Sequence, residues 1–105
     1  MAVEARLETG GLDAGAELAA FLSGRDADGA VVSFTGLARG RGADGAAVER
    51  LRLDWHPVMT ARSLSVLAEA TAARFDVSDV LVVHRGGEVT PGETIVFVAV
   101  ASPHR

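Results

Sequence analysis

The chain has 105 residues, of which 49% are hydrophobic, a net charge of −4 and no cysteine. This length allows one domain (residues 1–105) with a single core, and the hydrophobic content argues against disorder. The negative charge argues against a general nucleic-acid-binding protein. The lack of cysteine excludes disulfide scaffolds, thiolate zinc sites and thiol nucleophiles. No apolar run approaches the ~20 residues of a membrane span, and the N-terminal "MAVEARLETGG" lacks the basic-then-apolar order of a signal peptide, so we expect a cytoplasmic protein.

The first half of the chain is predicted to form a strand, a helix and a second strand. The segment "VEARLE" alternates apolar and charged residues, as a half-exposed strand does. Asp13 is suited to cap a short helix that ends at Gly24. The apolar segment "AVVSFTG" predicts the second strand, and the glycine-rich "LARGRGADGA" that follows it predicts a loop.

The second half is predicted to add three strands and a longer helix. "VERLRLDWH" alternates as a strand should and is ended by Pro57. Apolar residues at helical spacing predict a helix from about Thr60 to Phe75. "DVLVVHRGGEV" and "ETIVFVAVAS" predict the last two strands. The order β-α-β-β-α-β-β indicates an α+β domain with two main helices and a largely antiparallel sheet.

Residues 95–101 are apolar on both faces of their predicted strand, which is typical of a strand covered on both sides. Two helices provide too little cover for both faces of the whole sheet. We therefore expect a partner chain, a symmetry mate or a further segment to cover the remainder, and a dimer or higher assembly is our leading expectation.

The sequence supports neither of two motif-based interpretations, a dinucleotide site and a serine hydrolase. Gly40, Gly42 and Gly45 form the spacing G-x-G-x-x-G, but a dinucleotide site needs a helix after this loop and a strand is predicted there. A mobile hairpin loop fits better, with anion-binding character from Arg39 and Arg41. No G-x-S-x-G motif points to a serine hydrolase.

The three histidines lie far apart in sequence, without the close spacing of a metal motif, so no metal site is predicted. What remains is a set of cations at strand ends: Arg39 after the second strand, and His104 with Arg105 after the last. Arginine presents a planar fork of donors to phosphate, and histidine exchanges protons near neutral pH. If these strand ends lie side by side, they form a pocket for a small anion; the alternative is a solvated sheet rim.

Three segments, "DGAVVSFTGLAR", "LRLDWHPVMTARSL" and "VVHRGGEVTPGETIVFVAVASPHR", resemble in order and spacing the large, catalytic subunit of molybdopterin synthase (MoaE-like). The resemblance implies an α/β-hammerhead domain with an extra antiparallel sheet, forming a homodimer within a heterotetramer. It implies a small ubiquitin-like partner that carries sulfur as a C-terminal Gly-Gly thiocarboxylate. The implied reaction transfers this sulfur to cyclic pyranopterin monophosphate and forms molybdopterin, without a bound cofactor.

Carried over by position, the substrate-binding residues implied by the resemblance are Leu37, Ala38, Arg39, His104 and Arg105. They include the cations found above from the residues alone, and the substrate's phosphate suits charge-assisted arginine contacts. His104 is the candidate for acid–base catalysis. The chain's end, "SPHR", is therefore predicted to be half of a substrate pocket.

The sequence also departs from the family pattern. The family continues beyond this point with a helix and a loop that carry two functional lysines, whereas all ten basic residues here are arginine. Leu37 stands where many relatives have lysine, and "DWHPVM" replaces the more usual His-Tyr-Pro-Gly-Met. We expect the 105-residue chain alone not to complete sulfur transfer. A truncated enzyme, a chain completed by a second polypeptide, and a non-catalytic dimeric module that docks the small subunit or an anionic ligand all remain open, as does an unrelated anion-binding α+β domain.

Overall fold

The computed structural model describes residues 2–105 and contains six strands and two helices. Neither helix is long and apolar enough to cross a membrane. The α+β class and the two main helices are confirmed. In chain order the elements are β1 (Ala2–Glu8), α1 (Ala14–Leu22), β2 (Ala30–Leu37), β3 (Leu51–Leu53), α2 (Met59–Arg74), β4 (Asp79–Arg85), β5 (Gly87–Val89) and β6 (Thr94–Ser102).

The strands form one four-stranded sheet in the order β1-β4-β6-β2 and a two-stranded ribbon of β3 and β5. β1 and β4 run parallel, and all the other pairs are antiparallel, so the prediction of a largely antiparallel sheet is confirmed. In the β2–β6 pair, Ala30 lies opposite Ser102 and Leu37 lies opposite Thr94. The start of β2 is therefore beside the end of β6.

Helix α1 covers one face of the sheet. Asp13 caps it as predicted, because its side chain accepts a hydrogen bond from the Ala16 amide at 3.0 Å. Leu18 and Phe21 pack against a buried cluster in β4 and β6, whereas Leu22, the last residue of the helix, is 47% exposed. The buried cluster consists of Leu81, Val83, Phe97 and Ala99.

Helix α2 covers only part of the opposite face. It packs on β1 and β4, where Ala68 and Ala72 contact Val80. The β2 side of this face is left open, and there Val32 is 70% and Phe34 61% exposed. The two helices of the described chain thus leave apolar sheet surface uncovered, as the double-faced pattern of β6 indicates.

The third strand is shorter than the predicted "VERLRLDWH". After Leu53 the chain turns, and Trp55 packs against Gly86, where an added Cβ would lie 2.7 Å from the indole Cγ. Gly86 also separates β4 from β5, which the sequence predicted as one continuous strand. A close approach between a ring and the backbone leaves no alternation pattern in the sequence, so it was not foreseen.

Candidate functional site

The end of β6 places His104 beside an aspartate that the sequence did not single out. His104 Nε2 lies 2.8 Å from Asp76 Oδ2. The Ser102 hydroxyl donates to the Asp76 carbonyl at 3.0 Å and accepts from the His104 amide at 3.1 Å. Both ring and carboxylate are largely exposed, at 71% and 76%. The carboxylate orients the imidazole and leaves the Nδ1 edge free for a ligand or a proton.

The His104–Arg105 segment lies directly against the start of β2. The Gly29 amide donates to the Ser102 carbonyl at 2.9 Å. A Cβ on Gly29 would lie 2.6 Å from the Pro103 carbonyl oxygen and 3.2 Å from Arg105 Cγ. Only glycine leaves room for this approach, so Gly29 helps to position both predicted site residues.

The other predicted site residues follow the far end of β2. Ala38 is buried, and its amide and carbonyl bond to Glu93 and Gly92, each at 2.9 Å. Leu37 and Arg39, on either side of it, are exposed. Among residues 2–105 no carboxylate lies within ion-pair distance of Arg39. Its guanidinium is available to an external anion.

The two cationic ends do not meet within one chain. Leu37 pairs with Thr94 at the start of β6, while His104 follows Ser102 at the end of β6, beside Ala30. The length of β2 separates them by roughly 23 Å at the usual rise of a strand. The condition that these strand ends lie side by side therefore fails for a single copy, because β2 and β6 are antiparallel.

The glycine-rich loop is a hairpin, as its context indicated. Arg41 and Ala47 form a β-bridge, Gly45 has a φ of +82°, and the Arg41 guanidinium donates to the Gly45 carbonyl at 3.1 Å. The next regular element is β3, so no helix N-terminus follows the loop to hold a pyrophosphate. In the described range no three or more His, Cys, Asp or Glu side chains are grouped so that they could hold a metal ion.

The remaining two histidines have local structural roles. His56 Nδ1 accepts the amides of Val58 and Met59 at 3.2 and 3.0 Å, and the His56 amide donates to the Thr60 hydroxyl at 2.7 Å. These reciprocal bonds hold the start of α2 in the manner of a capping box. His84 Nδ1 lies 2.6 Å from the Arg85 carbonyl.

Arg85 is the one buried charged residue in the described chain, and it holds the turn before β6. It is 5% exposed, donates to the Glu88 carbonyl at 3.0 Å, and lies 3.5 Å from Glu93. The Thr90 amide, which donates to the Glu93 carboxylate, is the main cause of a lowered pKa of Glu93, and Arg85 adds to it. His84 and Arg85 thus end β4 as a hydrogen-bonded pair, although Arg85 Nε has no partner.

An apolar groove of about 510 Å³ runs between α2 and the adjacent strands. Its floor includes Val96, Val98 and Val100 of β6, and its wall includes Leu67 of α2, which is 66% exposed. His84 lines the groove among these apolar groups. The groove continues the uncovered sheet face toward the helix.

A family model described as MoaE protein matches residues 7–105. The chain belongs to this family. A molybdopterin synthase catalytic subunit from Ralstonia nicotianae is 43% identical over 100 residues, which cover 95% of this chain and 56% of the relative. Its counterpart from Escherichia coli is 44% identical over 85 residues, covering 81% of this chain and 56% of the relative. This MoaE chain thus spans little more than half the length of these relatives.

Solved structures support the same family. A molybdopterin biosynthesis MoaE protein from Burkholderia ambifaria matches with a TM-score of 0.79 and 33% identity, over 100% of this chain and 67% of that chain. A molybdopterin synthase from Staphylococcus aureus matches with a TM-score of 0.78 and 25% identity, over 94% of this chain and 70% of that chain. The expected hammerhead-like α+β fold and the family resemblance are confirmed.

Proposed function

We propose that this protein acts in molybdenum cofactor biosynthesis as the catalytic-subunit portion of a molybdopterin synthase. Sulfur from the thiocarboxylate of a small carrier protein would be transferred to cyclic pyranopterin monophosphate. The observation that carries this proposal is the 43% identity to a molybdopterin synthase catalytic subunit over 95% of the chain. A cytoplasmic location remains a prediction.

The charges at the two strand ends suit this substrate. Arg39 has no carboxylate partner among the described residues, and Arg105 offers a second guanidinium fork for phosphate oxygens. Leu37 and Ala38 would form the wall beside Arg39. His104, oriented by Asp76 at 2.8 Å, would exchange a proton as water hydrolyses the bond between the carrier's acyl carbon and the transferred sulfur, which releases the carrier as a carboxylate.

A shared site for these residues requires two copies of the chain. Within one copy, Arg39 and His104 lie at opposite ends of the β2–β6 pair. A homodimer that joins the Arg39 end of one copy to the His104 end of the other would form two equivalent pockets. The ubiquitin-like carrier would deliver its Gly-Gly tail to each pocket, giving the expected heterotetramer.

The direct test is calorimetric titration of cyclic pyranopterin monophosphate into the protein. Losing one charge-assisted contact costs ~1.5–3 kcal/mol, so Arg39→Ala should weaken binding about tenfold or more. Arg41→Ala is the matched control, because it removes the same charge from the same loop while Arg41 is already bonded to the Gly45 carbonyl. Equal affinity of the wild type and Arg39→Ala would contradict the proposed pocket.

A second candidate is a non-catalytic dimeric module that binds the carrier or the anion without chemistry. The cations present suit it, since arginines such as Arg39 and Arg105 stay protonated and can hold an anion without exchanging protons. Tight carrier binding without product, even when the part of a relative outside the match is added as a separate peptide, would identify this function.

A further inference from the structure

Three hydrogen bonds join the turn after α2 (residues 75–78) to the end of β6. The Ser78 amide donates to the Ala101 carbonyl at 2.7 Å. The Ser102 hydroxyl donates to the Asp76 carbonyl at 3.0 Å. The third bond is the contact of 2.8 Å between His104 Nε2 and Asp76 Oδ2. The turn therefore fixes both the backbone and the imidazole ring of the segment that follows β6.

The contact with Asp76 decides which nitrogen of the His104 ring carries the proton. An ionised carboxylate can only accept hydrogen bonds, so the Nε2 that faces it must be the donor. A neutral imidazole has one donor and one acceptor nitrogen, and the acceptor is then Nδ1. The His104 side chain is 71% exposed, so a water molecule or a substrate group can reach this Nδ1.

We propose that Asp76 is a positioning residue, which holds the His104 ring with Nδ1 as the proton acceptor for the hydrolytic step of sulfur transfer. This inference rests on the proposed function. Nδ1 would take a proton from a water molecule as the water oxygen bonds to the carrier's acyl carbon. The bond from that carbon to sulfur then breaks, the sulfur keeps the electron pair, and His104 returns its proton to the sulfur.

This step needs neither an oxidant nor a reductant. The carrier leaves as a carboxylate, and its acid proton passes to the solvent. Asp76 would not take up a proton itself. Its negative charge would stabilise the imidazolium of His104, which exists between the two proton transfers.

The exposure of the Asp76–His104 pair suits it to orienting the ring more than to stabilising the fold. The two side chains are 71% and 76% exposed, and solvent screens such a pair, so its effect on the free energy of unfolding is small. Without Asp76, an exposed ring would sample several rotamers and both tautomers. The bond from Ser102 to the main-chain carbonyl of residue 76 does not depend on the carboxylate, so replacing Asp76 should leave the turn attached to β6.

Nitrogen-15 NMR of histidine-labelled protein tests the ring without reference to activity. In mildly alkaline solution, where imidazole is neutral, His104 should show a protonated Nε2 and an unprotonated Nδ1. Asp76→Ala should give a mixture of both tautomers, while the signals of His56 and His84 stay unchanged as internal references. Glu69→Ala removes an exposed carboxylate from α2 and is the control that should leave His104 unchanged. The same tautomer in the wild type and Asp76→Ala would overturn the proposal.

A single-turnover assay tests the hydrolytic step. It contains the thiocarboxylated carrier, cyclic pyranopterin monophosphate and the part of a relative outside the match as a separate peptide. Asp76→Ala should form molybdopterin more slowly by about tenfold or more, with pterin affinity near that of the wild type. Carrier joined to the pterin through sulfur should accumulate, as detected by mass spectrometry. Asp76→Glu should recover part of the rate, because it retains a carboxylate.

The two experiments separate failure of this inference from failure of the proposed function. A changed tautomer with a wild-type rate in Asp76→Ala would reject the role of Asp76 in the hydrolytic step. A changed tautomer with no product from the unaltered protein would reject the proposed function and leave only the tautomer assignment. An unchanged tautomer in an active enzyme would reject the positioning role and leave the proposed function standing.

Discussion

At the residue scale, the proposed site includes contacts that hold its cations as well as the cations themselves. Asp76 orients the His104 ring, and Gly29 lets the last residues approach the start of β2. Neither could be predicted from the sequence. Asp76 lies in a polar turn after α2 that resembles any solvated loop, and a glycine required by a tertiary contact looks the same as one in a turn.

Gly29→Ala should disturb the site through position rather than charge. The added methyl would meet the Pro103 carbonyl at 2.6 Å, and overpacking of this kind costs about 1–3 kcal/mol. We expect a lower melting temperature and weaker pterin binding. Gly10→Ala is the control, because no atom lies within 4 Å of its Cβ and both properties should stay unchanged. Wild-type binding by Gly29→Ala would show that the terminal segment is not held by this contact.

An ion-pair network beside the proposed site leads us to predict that the free energy of unfolding depends on pH. The Arg25 guanidinium bonds to Asp79 and, at 2.9 Å, to Asp28. The hydrogen bond from Arg25 is the main cause of a lowered pKa of Asp79, and bonds from Ser78 and then Arg25 lower the pKa of Asp28. Because both folded-state values lie below the unfolded ones, this stabilisation is present above the ordinary carboxyl range and is lost as pH falls through the folded-state pKa.

Arg25→Met should therefore reduce the free energy of unfolding at neutral pH, and its difference from the wild type should shrink in acid. Denaturant unfolding at about pH 7 and about pH 3 measures both values. Arg62→Met, at an exposed position on α2, is the control and should show little difference at either pH. A deficit for Arg25→Met that is as large in acid as at neutral pH would contradict the ion-pair account.

At the scale of elements, the spacing of apolar residues predicted the helices and strands whose apolar faces pack together. The apolar stripes of both helices and the double-faced pattern of β6 were sufficient to identify these elements. The third strand was predicted too long, because its alternation continues to His56. The packing of Trp55 on Gly86 and the local hydrogen bonds of His56 at the start of α2 end the strand at Leu53. The pairing of β2 with β6 was not predicted, so the separation of the two site halves was missed.

The contribution of His56 to the start of α2 can also be tested. Its ring accepts two amides at the start of α2, a role that the sequence left unassigned. Losing a cap of this kind costs about 1 kcal/mol, so His56→Ala should lower the free energy of unfolding by about this amount. His56→Asn should retain most of the stability, because asparagine is also a good capping acceptor. Equal losses of free energy of unfolding in both variants would indicate that the His56 ring stabilises α2 by packing and not by accepting the two amides.

At the scale of the whole molecule, the open sheet face and the separated cations are each incomplete in a single copy. The dimer proposed above would complete both. The family resemblance could be stated from three sequence segments, and the match over residues 7–105 confirmed it. The assembly geometry could not be predicted, because strand order determines which residues lie at which edge.

The most direct test of the account is an activity assay with thiocarboxylated carrier and cyclic pyranopterin monophosphate. The protein would be assayed alone and with the part of a relative outside the match added as a separate peptide. We predict molybdopterin only in the second case, because His104 alone cannot replace lysine amines in proton transfer and positioning. Robust molybdopterin formation by the chain alone would contradict the expectation that the family's two functional lysines are required. No product in either case would contradict its role in a molybdopterin synthase.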